Sequence, residues 1–206
     1  IWYQGESNAN NPSLYAKLFP DMIKNWRDDW NQGDFPFYFV QISAHSNQNP
    51  YIREAQLKTF RNVQNTGMVV TLDVGDSLDI HPRDKKTVGE RLALWALSQT
   101  YNFPGITCSG PIYKSMTVEG NNIRIYFDFT GSGLVALNNK LNLFEIAGED
   151  GIFVKANAQI DNNTVVVSSD KVKHPVAARY AWKNYMLPDL FNKEGLPASS
   201  FRTNDN

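Results

Sequence analysis

The chain is predicted to be an α/β protein in two parts: a doubly wound half with a parallel sheet, then an antiparallel β module of roughly sandwich type. Three observations lead there. Before Pro104, apolar runs of strand length alternate with segments of helical periodicity. Those runs are apolar throughout rather than at every second residue, as expected of parallel strands buried on both faces. After Pro104 the pattern changes to short alternating segments separated by Gly, Asn and Asp.

Ile1–Tyr3 reads as the end of a buried strand, and Asn8–Pro12 as a polar loop. Ser13 is placed to cap a helix reaching about Asp29, with Leu14, Tyr15, Leu18, Met22, Ile23 and Trp26 at helical spacing. Phe35–Ile42 is a continuous apolar strand, followed by a polar loop over Ser43–Asn49 and a helix from about Pro50 to Val63. Gly67–Leu72 is another buried strand. Thr87–Tyr101 is a helix with Val88, Leu92, Trp95 and Leu97 among its apolar positions. In the second part, Ile112–Val118, Asn122–Phe129, Leu143–Ala147, Ile152–Ile160 and Thr164–Ser168 are the expected strands. Glu119-Gly-Asn-Asn122 and Asp161-Asn-Asn163 mark hairpin turns. A helical period returns only at Ala178–Tyr185. The expected division is 1–103, 104–187 and a tail over 188–206 that packs back on the main body.

Composition narrows the function classes. The 206 residues are 42% hydrophobic and 20% charged, ample for a core. A net charge of −1 gives no electrostatic case for nucleic acid or an anionic membrane surface. No apolar run approaches the roughly 20 residues of a membrane span. Cys108 is alone, so no disulfide can close within the chain. The 13% aromatic content is explained by rings in the core before any stacking on sugars is invoked. Ile1 opens in mid-strand with no Met or leader, which suggests a fragment or a processed chain.

His81 is the first chemical candidate. It follows the Gly67–Leu72 strand, where catalytic groups of open α/β sheets gather. A histidine there serves as general base when a carboxylate fixes its tautomer and a hydroxyl is in reach; otherwise it is a loop histidine before the next helix. The three histidines, His45, His81 and His174, have no metal-ligand spacing, so neither a metal nor another cofactor is expected.

Four separated motifs sharpen the reading. Trp2-Tyr-Gln-Gly-Glu-Ser-Asn8, Arg53-Glu-Ala-Gln56, Asp79-Ile-His-Pro-Arg-Asp-Lys85 with Val88-Gly-Glu-Arg-Leu92, and Asn192-Lys-Glu-Gly-Leu-Pro-Ala-Ser-Ser-Phe-Arg-Thr203 together resemble the sialate O-acetylesterase family. That family belongs to the SGNH hydrolase superfamily of carbohydrate esterases. The resemblance implies the C-terminal part of a three-layer α/β/α SGNH-like domain joined to the β-rich module. It implies removal of acetyl groups from sugar hydroxyls, those of sialic acid first among them, in a periplasmic or secreted setting.

The family nucleophile is a serine in a Gly-Gln-Ser-Asn-like turn, and that turn does not occur here. The resemblance therefore implies a serine upstream, in the other half of the same esterase domain. His81 corresponds to the family base. The superfamily usually has Asp three residues before it, but that position is Leu78. Glu6 is accordingly taken as the orienting acid, with Asp79 in support. Gln4 and Gly5 suit an oxyanion role, an amide donor beside a glycine N–H that can approach closely. Asn8 either meets substrate or closes its loop. Arg53 either pairs with a sugar carboxylate or holds a structural salt bridge.

Two serines imitate a nucleophile. Gly75-Asp-Ser-Leu78 spells the GDSL signature, but Ser77 stands only four residues before His81, so one turn would supply both nucleophile and base. Ser7, in Gly5-Glu-Ser-Asn8, has Glu6 where Gln belongs. The alternative to an esterase is a non-catalytic carbohydrate-binding or structural fragment using the aromatic-rich β module.

Overall fold

The computed structural model describes residues 1–204, which form two compact units. One comprises Ile1–Ser109 with Lys183–Met186; the other comprises Gly110–Trp182 with the described part of Leu187–Asn206. The division thus falls after Ser109 rather than at 103. No described helix is long and apolar enough to cross a membrane.

The first unit runs through a 3-10 turn at Glu6–Asn8, α1 (Pro12–Trp30), β1 (Phe37–Val40), α2 (Pro50–Asn62), β2 (Thr66–Val69) and α3 (Lys85–Trp95), which continues as a π-helical turn over Ala96–Thr100. Each α-helix begins on a side-chain cap. Asn11 accepts from Leu14 N–H, Asn49 from Tyr51 N–H and Asp84 from Thr87 N–H. Asn11 rather than Ser13 therefore caps α1, and Pro12 supplies the preset φ of the first helical residue. Asn31 ends α1 in the left-handed conformation (φ 49°).

β1 and β2 pair in parallel, Phe37 opposite Thr66 and Val40 opposite Val69. Trp2 joins on the other side of β1 by one parallel bridge, its N–H donating to Tyr38 O and its carbonyl accepting from Val40 N–H, both at 2.9 Å. All of β1 is buried. Its alternate side chains point to opposite faces: Phe37 and Phe39 meet Phe19 of α1, while Tyr38 meets Trp95 of α3. Helices therefore cover both faces of this parallel pair. Gly67 leaves room for Trp95, since a Cβ there would lie 2.6 Å from the indole.

The second unit is antiparallel β. Its strands are β3 (Ile112–Glu119), β4 (Asn122–Asp128), β5 (Leu134–Ala136), β6 (Phe144–Ala147), β7 (Val154–Lys155), β8 (Asn157–Asp161), β9 (Thr164–Ser168), β10 (Ala177–Tyr180), β11 (Leu190–Asn192) and β12 (Phe201–Arg202). They form sheets ordered β3-β4-β9-β8, β12-β10-β6-β7 and β11-β5. Alternation buries Ile123, Ile125 and Phe127 of β4 and Val165 and Val167 of β9. Phe201 of β12 stacks on Tyr113 of β3 at 4.7 Å and meets Phe127 edge-on at 5.9 Å, so rings from two sheets share one core.

Three expectations are corrected by this pairing. Ala178–Tyr185 is not helical: Ala177–Tyr180 is the strand β10, bonded between β6 and β12, and Ala181 turns out of it at φ 50°. The single strand expected over Ile152–Ile160 splits at Ala156, its two parts belonging to different sheets. The tail expected over 188–206 is built into the β module instead, with β11 on β5 and β12 on β10; its last two residues lie outside the described ones. Lys183–Met186 is claimed by the first unit. There Arg53 donates to the Lys183 and Asn184 carbonyls, and Asn184 bonds the main chain of His45 and Ser46.

Candidate active site

The parallel strands deliver two segments of interest at their carboxyl ends: Tyr3–Asn8 after Trp2, and Val70–Asp84 after β2. The first is a tightly fastened turn. Gly5 has φ 155° and ψ −20°, and a Cβ there would come within 3.0 Å of both Gln56 Nε2 and Ile42 Cγ2. Gln56 is fully buried and spans the sheet end, donating to Gln4 O (3.1 Å) and accepting from Ile42 N–H (2.9 Å). Tyr15 hydroxyl also donates to Gln4 O, at 3.0 Å.

Within the turn, Gln4 Nε2 donates to Asn8 Oδ1 at 2.7 Å, and Asn8 N–H closes onto Gly5 O at 2.9 Å. The Gln4 amide expected at the oxyanion thus binds Asn8, which, of its two open roles, closes its loop. The Gly5 N–H has no acceptor among the described residues, which leaves it free to donate. The Glu6 carboxylate lies close enough to Tyr3 and Tyr15 to help raise both phenols. Burial is the larger cause in each case, and it takes Tyr15 to about 12.

The second segment is anchored at its base and open at its tip. Arg91 of α3, almost buried, grips both oxygens of Asp73 (2.7 and 2.5 Å) and donates to Val70 O at 2.8 Å. Gly75 passes directly over Ala44, whose carbonyl oxygen would sit 2.3 Å from any Cβ. Asp76 Oδ1 then accepts from Leu78 N–H (2.7 Å) and Asp79 N–H (3.2 Å), and these two bonds hold its carboxyl below the usual range. This Asx turn aims Asp79 forward.

Asp79 Oδ1 accepts the His81 N–H at 2.9 Å and lies 3.7 Å from His81 Nδ1. Arg83 Nε stands 3.7 Å from the other oxygen. The His81 side chain is 85% exposed and that of Asp79 37%. The imidazole therefore faces its carboxylate through Nδ1 and leaves Nε2 outward, at ion-pair rather than hydrogen-bond distance. No hydrogen bond or ion pair joins Glu6 to His81 among the described residues.

Of the two places open to Arg53, at a sugar carboxylate or in a structural pairing, the structure shows a structural one, on main-chain carbonyls rather than in a salt bridge. Arg53 is fully buried, its guanidinium on the main chain of Lys183 and Asn184, and desolvation brings it down to about 9. Three contributors escaped sequence reasoning. Arg91 sits inside a quoted motif, yet nothing in the spelling pairs it with Asp73. Gln56 was noted beside Arg53 but not as the clamp on Gln4. His45, buried in the loop after β1, accepts Asn47 N–H at Nδ1 (3.1 Å), which places its proton on Nε2. No group of three or more His, Cys, Asp or Glu among the described residues could hold a metal.

The first unit is thus a mixed α/β domain that presents a histidine–carboxylate pair in the loop after one parallel strand and a glycine turn after Trp2. A family model described as carbohydrate esterase, sialic acid-specific acetylesterase matches residues 1–98. The sialate O-acetylesterase of Pongo abelii is 30% identical over 98% of this chain and 45% of its own length. That of Mus musculus is 38% identical over 59% of this chain and 27% of its own. The crystal structure of a carbohydrate acetylesterase from Xanthomonas citri superposes with a TM-score of 0.93 at 37% identity, covering all of this chain and 50% of that one. The chain is thus similar to sialate O-acetylesterases and to a carbohydrate acetylesterase over essentially its whole length. It spans less than half the length of the curated relatives it matches.

Proposed function

We propose that this chain carries the base half of a carbohydrate O-acetylesterase, acting on acetyl esters of sugars and first on those of sialic acid. The proposed enzyme has an SGNH-type three-layer plan in the first unit and a sandwich-like one in the second. One observation carries it: His81 stands exposed at the carboxyl end of the parallel strands with Asp79 Oδ1 3.7 Å from Nδ1.

In this mechanism a serine Oγ attacks the acetyl carbonyl while His81 Nε2 takes its proton. The tetrahedral oxyanion receives the Gly5 N–H. Collapse breaks the bond to the sugar oxygen, which takes the proton back from His81, leaving acetyl-serine. Water, deprotonated by the same imidazole, then releases acetate. Asp79 holds the histidine, with Glu6 as the rival for that role. The serine comes from a Gly-Gln-Ser-Asn-like turn that this sequence does not contain, so the working partner is a polypeptide supplying that turn. The proposed setting is the periplasm or the cell exterior.

The test is hydrolysis of 4-nitrophenyl acetate by the chain alone. It is repeated after co-expression with the half of the Xanthomonas citri enzyme that this chain does not cover. The expected result is no turnover alone and turnover in the pair, with kcat falling at least about 100-fold in His81→Ala. His81-dependent turnover by the chain alone would move the nucleophile to Ser77 or Ser7. Turnover in the pair that ignores His81→Ala would sink the assignment of the base. Acetate release from O-acetylated sialic acid against acetylated xylan then fixes the sugar.

A further inference from the structure

The second unit contains a cleft of about 1030 Å³ that none of the chemistry above uses. Its lining comes from β5, the segment 139–142, the stretch 155–160 and Ser168. Both β5 and β8 are edge strands of their sheets, so the cleft runs beside two open borders. Val135 and Ile160, with the more buried Leu134 and Leu141 and three alanines, make half of its lining residues apolar.

Besides Ser168, its polar side chains are Asn139, Lys140, Asn142, Lys155, Asn157 and Gln159, and no carboxylate lines it. Among the described residues, the Asn139, Asn157 and Gln159 side chains make no hydrogen bond. Lys140 is in no ion pair, and Lys155 Nζ reaches Asn142 Oδ1 only at 3.5 Å. The rim is also conformationally unusual. Asn138 and Asn139 lie in succession in the left-handed region, at φ 53° and 56°. Asparagine enters this region readily, and the pair forms the turn at the rim.

Each of these carboxamides offers two donors and an acceptor, which is the complement of a sugar hydroxyl or acetamido group. Two ammonium groups in a lining that holds no carboxylate add a preference for negative charge, since Glu145, opposite Lys155 across β6 and β7, is engaged by Arg179. The absence of an aromatic ring in the lining removes the stacking platform that bases use. We infer that this cleft is a binding site for a carboxylate-bearing sugar. The inference is independent of the esterase reading, because it uses no residue of the His81 loop and no turnover.

The experiment is a titration of the full, ¹⁵N-labelled chain with N-acetylneuraminic acid, followed by amide shifts. The expected result is saturable shifts on 139–142 and 155–160. Affinity falls at least about tenfold with the methyl ester of the sugar and in Lys140→Gln/Lys155→Gln. All substituted residues are exposed, and unchanged resonances elsewhere establish that the variant is folded; Asn157→Ala provides a second, uncharged perturbation that also weakens binding. Four outcomes overturn the inference: no saturable binding, shifts mapping outside the cleft, equal binding of acid, ester and double variant, or the same shifts from inorganic phosphate alone. The last would mean a patch that takes any anion.

Discussion

Arg91 and Asp73 are joined by two hydrogen bonds, and the same guanidinium holds the Val70 carbonyl, so α3 fastens the root of the loop that carries His81. Arg91 is only 8% exposed, which distinguishes this pair from the solvated contacts around Asp79. Exposed ion pairs contribute little, whereas stripping one partner from a buried pair leaves an uncompensated charge.

Arg91→Ala is therefore expected to destabilise the first unit by about 2–3 kcal/mol, somewhat less than for a fully buried pair because Asp73 keeps some solvent. Thermal denaturation followed by circular dichroism checks this, with a midpoint falling by roughly 5–10 °C. A midpoint within about 1 °C of the parent would show that the bonds contribute nothing net. Asp79→Asn, on the exposed pair, is expected to leave the midpoint unchanged within that same margin.

The same substitution at two glycines is expected to have opposite signs. Gly5→Ala forces a side chain to adopt φ 155° against Gln56 and Ile42, and destabilisation of about 1–3 kcal/mol follows. Gly89 lies within α3 with nothing within 4 Å of its would-be Cβ, so Gly89→Ala stabilises by up to about 1 kcal/mol. Urea denaturation of both variants reads the two signs. Equal effects would mean that the packing around Gly5 yields freely.

Asp189 should give the β module a dependence on pH. Asp189 is 9% exposed, and burial of its carboxyl raises its pKa despite the Asn142 N–H and the nearby Tyr180 hydroxyl, which act the other way. The folded protein thus holds this proton more tightly than the unfolded chain. The stabilising contribution is whole below about pH 4, the ordinary carboxylate value, and is lost as pH rises through the higher folded value. Asp189→Asn, which never ionises, is expected to melt above the parent at pH 7, with the gap closing as pH falls towards about 4. A gap independent of pH would show that ionisation of Asp189 is not its cause.

Legibility in the sequence followed the range of the interaction. Phe37–Val40 was legible because burial on both faces leaves an unbroken apolar run. The closeness of Asp79 to His81 follows from their lying two residues apart in one loop, although the sequence favoured Glu6 as the partner of the histidine. Arg53 was not legible, since a charged residue in a helix reads as surface, and its acceptors lie about 130 residues away in the chain. Ala178–Tyr185 favoured helix locally, but hydrogen bonds on both sides of Ala177–Tyr180 override local preference. Strands as short as β5, β11 and β12 exist only through their partners and carry no period of their own.

Phe201 tests that last point, because it belongs to a two-residue strand and stands five positions before the last residue of the sequence. It is 1% exposed and touches Tyr113, Phe127, Phe144 and Tyr180, rings contributed by four other strands. Truncation to alanine removes a ring that neighbours on two sheets cannot easily replace, so Phe201→Ala is expected to cost about 3–5 kcal/mol. The exposed Lys193, in the same C-terminal stretch, provides the control; Lys193→Ala should stay within about 0.5 kcal/mol. Urea midpoints measure both, with the slope checked for constancy so that the difference reports stability. A Phe201→Ala variant as stable as the control would mean that the end of the chain lies on the module rather than in its core.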